Sequence, residues 1–168
     1  MTTRPLRIRD VLLSLSVVLV VASSPVALAQ TPISGWAWSD TLGWISLNCS
    51  ELGTCGAISY GLTRGSSNQV TGYAWSDYAG WISAMPADLV GCPSGTCEFA
   101  VASDGTVSGW LKVLNAANGW DGWISLRNTG YGVTNIAGEL SGWAWGDAVT
   151  GWVLFSADQP CATTAGDF

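Results

Sequence analysis

Three residue types in this sequence could carry chemistry: cysteines, carboxylates and an unusual number of tryptophans. The chain has 168 residues, with 5 Cys, 12 Asp and Glu together, 11 Trp and no His. Without His it lacks the commonest general base and the commonest transition-metal ligand. The sequence therefore excludes catalytic triads that contain His and zinc sites with a His ligand.

The cysteines predict two local disulfides. Cys49 and Cys55 flank SELGT, and Cys92 and Cys97 flank PSGT, at equivalent places in two internal repeats. Matched positions and short loops favour the pairs Cys49–Cys55 and Cys92–Cys97, with a metal site built from these thiols as the alternative. Cys161 is left over, which suggests an intermolecular bond or a free thiol.

The carboxylates have ordinary roles in turns. One Asp lies in the second turn of each repeat, where it can bond its own backbone or, alternatively, bind calcium. These residues are Asp40, Asp77, Asp121 and Asp147. Asp121 and Glu139 could also form a pair of the kind that hydrolyses glycosides, although turn and surface roles account for both. We expect no enzyme, no metal and no cofactor.

The tryptophans allow two interpretations. Exposed indole rings can stack on sugar rings, whereas Trp at a fixed repeat position is typical of core packing, and we expect core for most of them. The predicted core residues are Trp36, Trp38, Trp143 and Trp145. The candidates for exposed, ligand-binding positions are Trp44, Trp81, Trp120, Trp123 and Trp152.

The segments that carry these residues repeat four times. Copy 1 contains ISGWAWSDTLGWISL from Ile33, and the other copies align with it from Val70, Val107 and Leu140. The first aligned aromatics are Trp36, Tyr73, Trp110 and Trp143, at spacings of 37, 37 and 33 residues. The copies extend over about 33–57, 58–96, 97–129 and 130–160. We refer to them as copies 1 to 4.

The repeat unit is predicted to be a three-stranded meander, of which copy 1 has only strands two and three. Strand one is YGLT-like and begins at Tyr60, Phe99 or Tyr131; strand two is SGWAWS-like; strand three is GWISL-like. Period-2 alternation and turn residues between the strands predict an all-β protein of about eleven strands. A closed propeller-like or barrel-like array is expected, with an open β-sandwich or stacked meander as the alternative. We place Ser39 opposite Trp44, a register that a one-residue slip would invert.

A glycine precedes the first aromatic of every copy. These residues are Gly35, Gly72, Gly109 and Gly142. Glycine inside a strand indicates a bulge or a close approach of another backbone. A bulge would let Ile33, Val70, Val107 and Leu140 face the core as well.

Residues 1–29 have the pattern of a secretory signal peptide. Three arginines precede an apolar run, and VALAQ supplies a cleavage site after Ala29. The mature chain would keep 3 basic and 11 acidic residues, a net charge of −8, which disfavours nucleic acid as a partner. After cleavage we expect no membrane span, a repeat domain at 30–160 and a tail at 161–168, in a secreted, periplasmic or cell-surface setting.

The segment YGVTNIAGELSGWAWGDAVTGWVLF, Tyr131 to Phe155, resembles a repeat of secreted bacterial proteins with the form YGV, a short turn, then GYAWSENIGWISF. The resemblance covers nearly all of Ile33 to Phe155, and copy 3 departs from it with Lys112 in place of the second Trp. It implies a β-rich extracellular protein, and that repeat family has no agreed activity or catalytic residues to transfer.

The sequence as a whole predicts a non-catalytic secreted or cell-surface module with a structural or adhesive role, able to self-associate. The alternative is a carbohydrate-binding module that uses exposed Trp side chains. The expected partners are accordingly a glycan or a second copy of the chain.

Overall fold

The computed structural model describes residues 30–156 and shows an all-β fold, with no helix in that part of the chain. Cys161 and the proposed signal peptide lie outside the described residues. The fourteen strands are β1 Thr31–Ile33, β2 Trp36–Ser39, β3 Gly43–Ser46, β4 Leu62–Arg64, β5 Val70–Ser76, β6 Gly80–Ser83, β7 Ala100–Val101, β8 Val107–Ser108, β9 Trp110–Val113, β10 Trp123–Ser125, β11 Arg127–Asn128, β12 Tyr131–Ile136, β13 Glu139–Trp145 and β14 Trp152–Ser156. The count exceeds eleven partly because Gly35 and Gly109 each divide strand two into two pieces.

Eight of these strands form a closed antiparallel barrel. Each copy supplies one hairpin: β2–β3, β5–β6, β9–β10 and β13–β14. Neighbouring hairpins join through β3–β5, β6–β9 and β10–β13, and β14 pairs with β2 to close the ring. The predicted closed array is therefore confirmed as a barrel. Within residues 30–156, closure leaves no unpaired edge strand in the barrel.

The remaining strands extend the barrel at the end away from its hairpin turns. There β4 pairs with both β1 and β5, β7 pairs with β8, and β12 pairs with β13. Copy 1 contributes only β1 at this level. There copy 1 contacts copy 4 directly, since the backbone N–H of Ser34 donates to the Gly138 carbonyl over 3.2 Å.

The strand register differs by one residue from the predicted one. Trp38, not Ser39, lies opposite Trp44, while Ala37 lies opposite Ile45. Because side chains alternate between the two faces of a sheet, this slip moves the strand-two side chains to the face opposite the predicted one. Ala37 and Ile45 are buried, and the prediction that Trp36, Trp38, Trp143 and Trp145 form the core is wrong: they lie on the outer face.

Small and aliphatic residues fill the barrel instead. An eight-stranded barrel has an interior just wide enough for such side chains. Inside it lie Ala37, Ile45, Ala74, Ile82, Leu111, Ile124, Ala144, Val153 and Phe155. Among the described residues the fully buried aromatic side chains are Phe99 and Phe155, and none is Trp.

The glycines before the first aromatics are explained by close backbone approach. All four have φ between 94° and 110°, a conformation that favours glycine. A Cβ on Gly72 or Gly109 would collide with the carbonyl oxygen of Gly61 or Glu98 on the adjoining chain. Ile33 lies an even number of residues from buried Ala37, so strand alternation alone places both side chains on the inner face and the burial of Ile33 does not depend on a bulge.

The alignment of strand one in copy 3 also needs correction. Gly109 faces Glu98, as Gly72 faces Gly61 and Gly142 faces Gly132. Phe99 in copy 3 is therefore equivalent to the inward-facing Leu62 in copy 2. Cys97, and not Phe99, is equivalent to Tyr60 at the start of strand one. The hairpin at Asp104-Gly105 is present, with Val101 opposite Val107.

Candidate functional site

A cluster of aromatic side chains lies on the outer face of every hairpin. In copies 1, 2 and 4 two Trp face each other directly across the strands: Trp38–Trp44, Trp75–Trp81 and Trp145–Trp152. Their ring centroids are 4.8–4.9 Å apart. In copy 3 Lys112 takes this place, and its ammonium lies 4.1 Å from the ring centroid of Trp123.

The first aromatic of strand two completes each cluster. It meets the strand-three Trp edge-on, with ring centroids 6.0–6.1 Å apart in all four copies. The pairs are Trp36–Trp44, Tyr73–Trp81, Trp110–Trp123 and Trp143–Trp152. Each Trp of strand three therefore lies between two partners, which holds its ring in one orientation.

The turn acids support these clusters and their turns. The indole N–H of Trp38 donates to Asp40 over 3.2 Å, and that of Trp75 donates to Asp77 over 2.8 Å. Asp121 accepts the backbone N–H of Trp123. Asp147 accepts the amides of Val149 and Thr150, each at 2.8 Å.

These bonds supply the acids with protein partners, as the turn interpretation predicts. Among the described residues no group of three or more Cys, Asp or Glu could hold a metal ion. Asp121 lies in the turn between β9 and β10, whereas Glu139 begins β13 at the other end of the barrel. The structure does not bring these two carboxylates together as a catalytic pair.

Copies 2 and 4 have an additional tyrosine against the cluster. Tyr60 meets Trp81 edge-on at a centroid distance of 5.3 Å, and Tyr131 meets Trp152 in the same way at 5.3 Å. We call the two resulting depressions the copy-2 groove and the copy-4 groove. The copy-2 groove has a volume of about 600 Å³ and the copy-4 groove about 300 Å³.

In copies 1 and 3 a disulfide loop lies against the cluster instead. The predicted disulfides are present, with Cα atoms 4.9 Å apart in Cys49–Cys55 and 5.4 Å apart in Cys92–Cys97. Leu52 of the first loop lines a depression of about 200 Å³ with Trp36 and Trp44. In the second loop the Ser94 carbonyl accepts the indole N–H of Trp110 over 2.9 Å.

Trp120 does not belong to any of the outer clusters. It lies in the long turn of copy 3 and packs against the barrel core together with Ala116. Its indole N–H donates to the Thr150 hydroxyl of copy 4 over 3.0 Å. Trp120 therefore covers the hairpin-turn end of the barrel, and the structure separates it from the other four candidates.

The four remaining candidates lie at equivalent positions on four different hairpins. Trp44, Trp81, Trp123 and Trp152 thus belong to four clusters around the barrel and not to one site. Sequence reasoning missed Tyr60 and Tyr131 as partners of these Trp. The available signal was that a Tyr begins strand one in copies 2 and 4.

Comparison of the chain with protein-family models, with curated proteins and with solved structures finds no match in any of the three. The resemblance to secreted Trp-rich repeats stays a prediction. Residues 30–156 include no helix of the length and apolarity that a membrane crossing requires. The two disulfides indicate an oxidising environment, such as the cell exterior.

Proposed function

We propose that the protein is a non-catalytic, secreted adhesive module that attaches to its target through the outer aromatic clusters. One observation carries this proposal: an aromatic cluster lies on the outer face in all four copies, and the barrel interior is filled without any residue of these clusters. Trp143 and Trp152 remain 47% and 49% exposed. Clustered apolar side chains left open to water are typical of interaction surfaces.

The carboxylates support a non-catalytic role. Asp40 and Asp77 accept indole N–H groups, and Asp121 and Asp147 accept backbone amides. Asp88 accepts the hydroxyl of buried Ser83 over 2.6 Å. A catalytic acid or base must lie within hydrogen-bond reach of the substrate and have a pKa near the working pH. The five aspartates named above are instead hydrogen-bonded to side chains or backbone amides of the protein.

Carbohydrate binding is the second candidate function, and the two tyrosine-walled grooves favour it. Their rings offer apolar faces. The Tyr131 hydroxyl offers a polar contact at the edge, and the Tyr60 hydroxyl, which bonds to Ser46 Oγ over 2.8 Å, can accept a further hydrogen bond. Such a mixture of aromatic surface and a few polar groups is typical of small-molecule sites.

The adhesive proposal is tested by adsorption of the mature chain, residues 30–168, to coated sensor surfaces. Surfaces coated with gelatin, cellulose or mannan present protein and polysaccharide separately. We expect adsorption that falls by about tenfold or more when both Trp143 and Trp152 are replaced by Ala. Tyr78→Ala is the matched control, since Tyr78 is 86% exposed and lies outside the clusters. Equal loss in Tyr78→Ala, or no loss in the double variant, would contradict the proposal.

A further inference from the structure

The copy-2 and copy-4 grooves have the same construction. In each, the strand-three Trp is flanked by the first aromatic of strand two and by the Tyr that begins strand one. The Tyr–Trp interplanar angles are 78° and 87°, so both tyrosines stand edge-on to the indole. Copies 2 and 4 thus each form an aromatic site with the same three walls.

The other two copies cannot form this site. Copy 1 has no strand one of its own in the described residues, and Leu52 lies beside its Trp pair. In copy 3 Cys97 stands where Tyr60 stands in copy 2, and the disulfide loop contacts Trp110. The groove therefore forms in alternate copies, namely copies 2 and 4.

Alternate copies lie on opposite sides of the barrel. The hairpins follow one another around the ring in chain order, and the β14–β2 pairing closes that ring. The hairpins of copies 2 and 4 are separated by one hairpin on either side. Their outward grooves consequently face in opposite directions.

The chemistry of both grooves indicates a neutral ligand. Within the described part of the chain, the copy-4 groove is lined by Gly130, Tyr131, Trp143 and Trp152. The copy-2 groove is lined by Ile58, Ser59, Tyr60, Gly61, Tyr73, Trp81 and Leu114. Neither set contains a charged side chain, and the net charge of −8 expected for residues 30–168 would repel a polyanion.

We propose that the protein carries two sites for neutral polysaccharide, in the copy-2 and copy-4 grooves, and that it bridges two polysaccharide chains. The C–H faces of a sugar ring fit against the indoles, and sugar hydroxyls can donate to the Tyr hydroxyl oxygens. The Tyr60 hydroxyl itself bonds to Ser46 Oγ over 2.8 Å, so it can only accept from the sugar. Opposed sites cannot readily engage one short stretch of a single chain, so the second site binds another chain. This inference names the target of the adhesive function proposed above and rests on it.

The test combines retardation and cross-linking by soluble polysaccharides. The mature chain is run in native gels that contain glucomannan, mixed-linkage β-glucan or dextran, with polygalacturonate as the acidic counterpart. Turbidity of the same mixtures reports cross-linking. We expect retardation by at least one neutral polymer, none by polygalacturonate, and turbidity that rises with added protein.

Removing the grooves one at a time tests bivalency. Trp81→Ala and Trp152→Ala should each keep retardation but lose the turbidity, and the double variant should lose both. Tyr78→Ala is the matched control, because Tyr78 lies on the copy-2 hairpin but outside the clusters, is 86% exposed and should keep both properties. Tyr60→Ala and Tyr131→Ala repeat the test without disturbing a Trp–Trp pair, should a Trp variant fail to fold by near-ultraviolet circular dichroism.

Several results would overturn the inference. They are retardation by polygalacturonate alone, equal loss of binding in Tyr78→Ala, cross-linking that survives in a single-groove variant, or no retardation by any neutral polymer. Dimerisation that Trp81→Ala and Trp152→Ala abolish would assign the grooves to a second copy of the chain. Adsorption to gelatin with no polysaccharide binding would remove this inference and leave the adhesive function standing.

Discussion

The inner and outer faces of the barrel wall differ in chemistry although they alternate along the same strands. In copy 1, Ala37 and Ile45 point inward and are 1% and 3% exposed, while Trp38 and Trp44 between them lie outside. The largest side chains of the repeat are thus on the water side. The comparison teaches that side-chain size does not identify the buried face when the enclosed space is narrow.

The most damaging substitution should be one that empties the inner face. Phe155 is 2% exposed and lies opposite Ala37 and Gly142. We expect Phe155→Ala to lower the free energy of unfolding by about 3–5 kcal/mol, through lost burial and a residual cavity. Guanidinium denaturation of residues 30–168 measures this value. Leu154→Ala, on the same strand but the outer face, is the control and should cost about 1 kcal/mol.

The next largest effect concerns the close approach that brings strand one onto the wall. Gly109 has a φ of 94°, and a Cβ there would collide with the Glu98 carbonyl. We expect Gly109→Ala to cost about 2–3 kcal/mol in the same denaturation experiment. Gly130 has a φ of 91° with open space around it, so Gly130→Ala isolates the backbone strain and should cost about 1 kcal/mol. An equal loss of stability in Gly109→Ala and Gly130→Ala would show that the backbone moves to relieve the collision with the Glu98 carbonyl.

An outer Trp should matter much less to stability than an inner Phe. Trp38 contributes one cross-strand ring contact and one bond to Asp40. Trp38→Ala should therefore cost about 1 kcal/mol and leave a folded barrel. Thermal unfolding followed by circular dichroism checks this. A loss as large as that of Phe155→Ala would place Trp38 in the core and restore the register first expected from the sequence.

The smallest effect is expected at a fully exposed turn. The backbone N–H of Thr106 donates to the Asp104 carboxylate over 2.8 Å, which lowers the pKa of Asp104. A lowered pKa in the folded state means that ionised Asp104 stabilises the fold, and that this stabilisation is lost as the pH falls through the folded-state pKa. Asp104→Asn should thus be slightly less stable than the parent at neutral pH.

The pH dependence distinguishes this effect from a general change in the turn. The difference should vanish at a pH below the folded-state pKa of Asp104, which lies under its ordinary value of 3.8. Ser103→Ala in the same turn should show no such pH dependence. A difference between Asp104→Asn and the parent that persists in acid would contradict the assignment.

Much of the fold could be predicted because repetition makes each local signal appear several times. The two disulfides and the closure of the array, in which copy 4 meets copy 1, followed from the aligned sequence. Loop length and turn chemistry are local properties, so one chain suffices to read them.

The faces could not be predicted from size alone. Trp36 and Trp38 share one face and Ala37 lies between them, so both registers satisfy the alternation equally well. The deciding fact is the width of the closed barrel, which depends on eight strands together. Asp40, two residues after Trp38, was a local hint, because a carboxylate that accepts the indole N–H must lie near the surface.

The candidate site could be predicted only in part from the sequence, for the same reason. Trp44, Trp81, Trp123 and Trp152 were expected to be exposed, but their partition into separate clusters follows from barrel closure. Trp120 packs against the core from an inserted loop whose path the repeat pattern does not specify. The tyrosine walls depend on how far strand one reaches along the hairpin of its own copy.

The most direct test of the outward aromatic face is hydroxyl-radical footprinting of folded residues 30–168, read residue by residue by mass spectrometry. We predict rapid oxidation of Trp143 and Trp152, intermediate rates for Trp38 and Trp44, and protection of Phe99 and Phe155. Oxidation rates in the guanidinium-unfolded chain correct for the intrinsic reactivity of each side chain. Protected Trp143 and Trp152 together with a reactive Phe155 would show that the faces are reversed and would contradict the account.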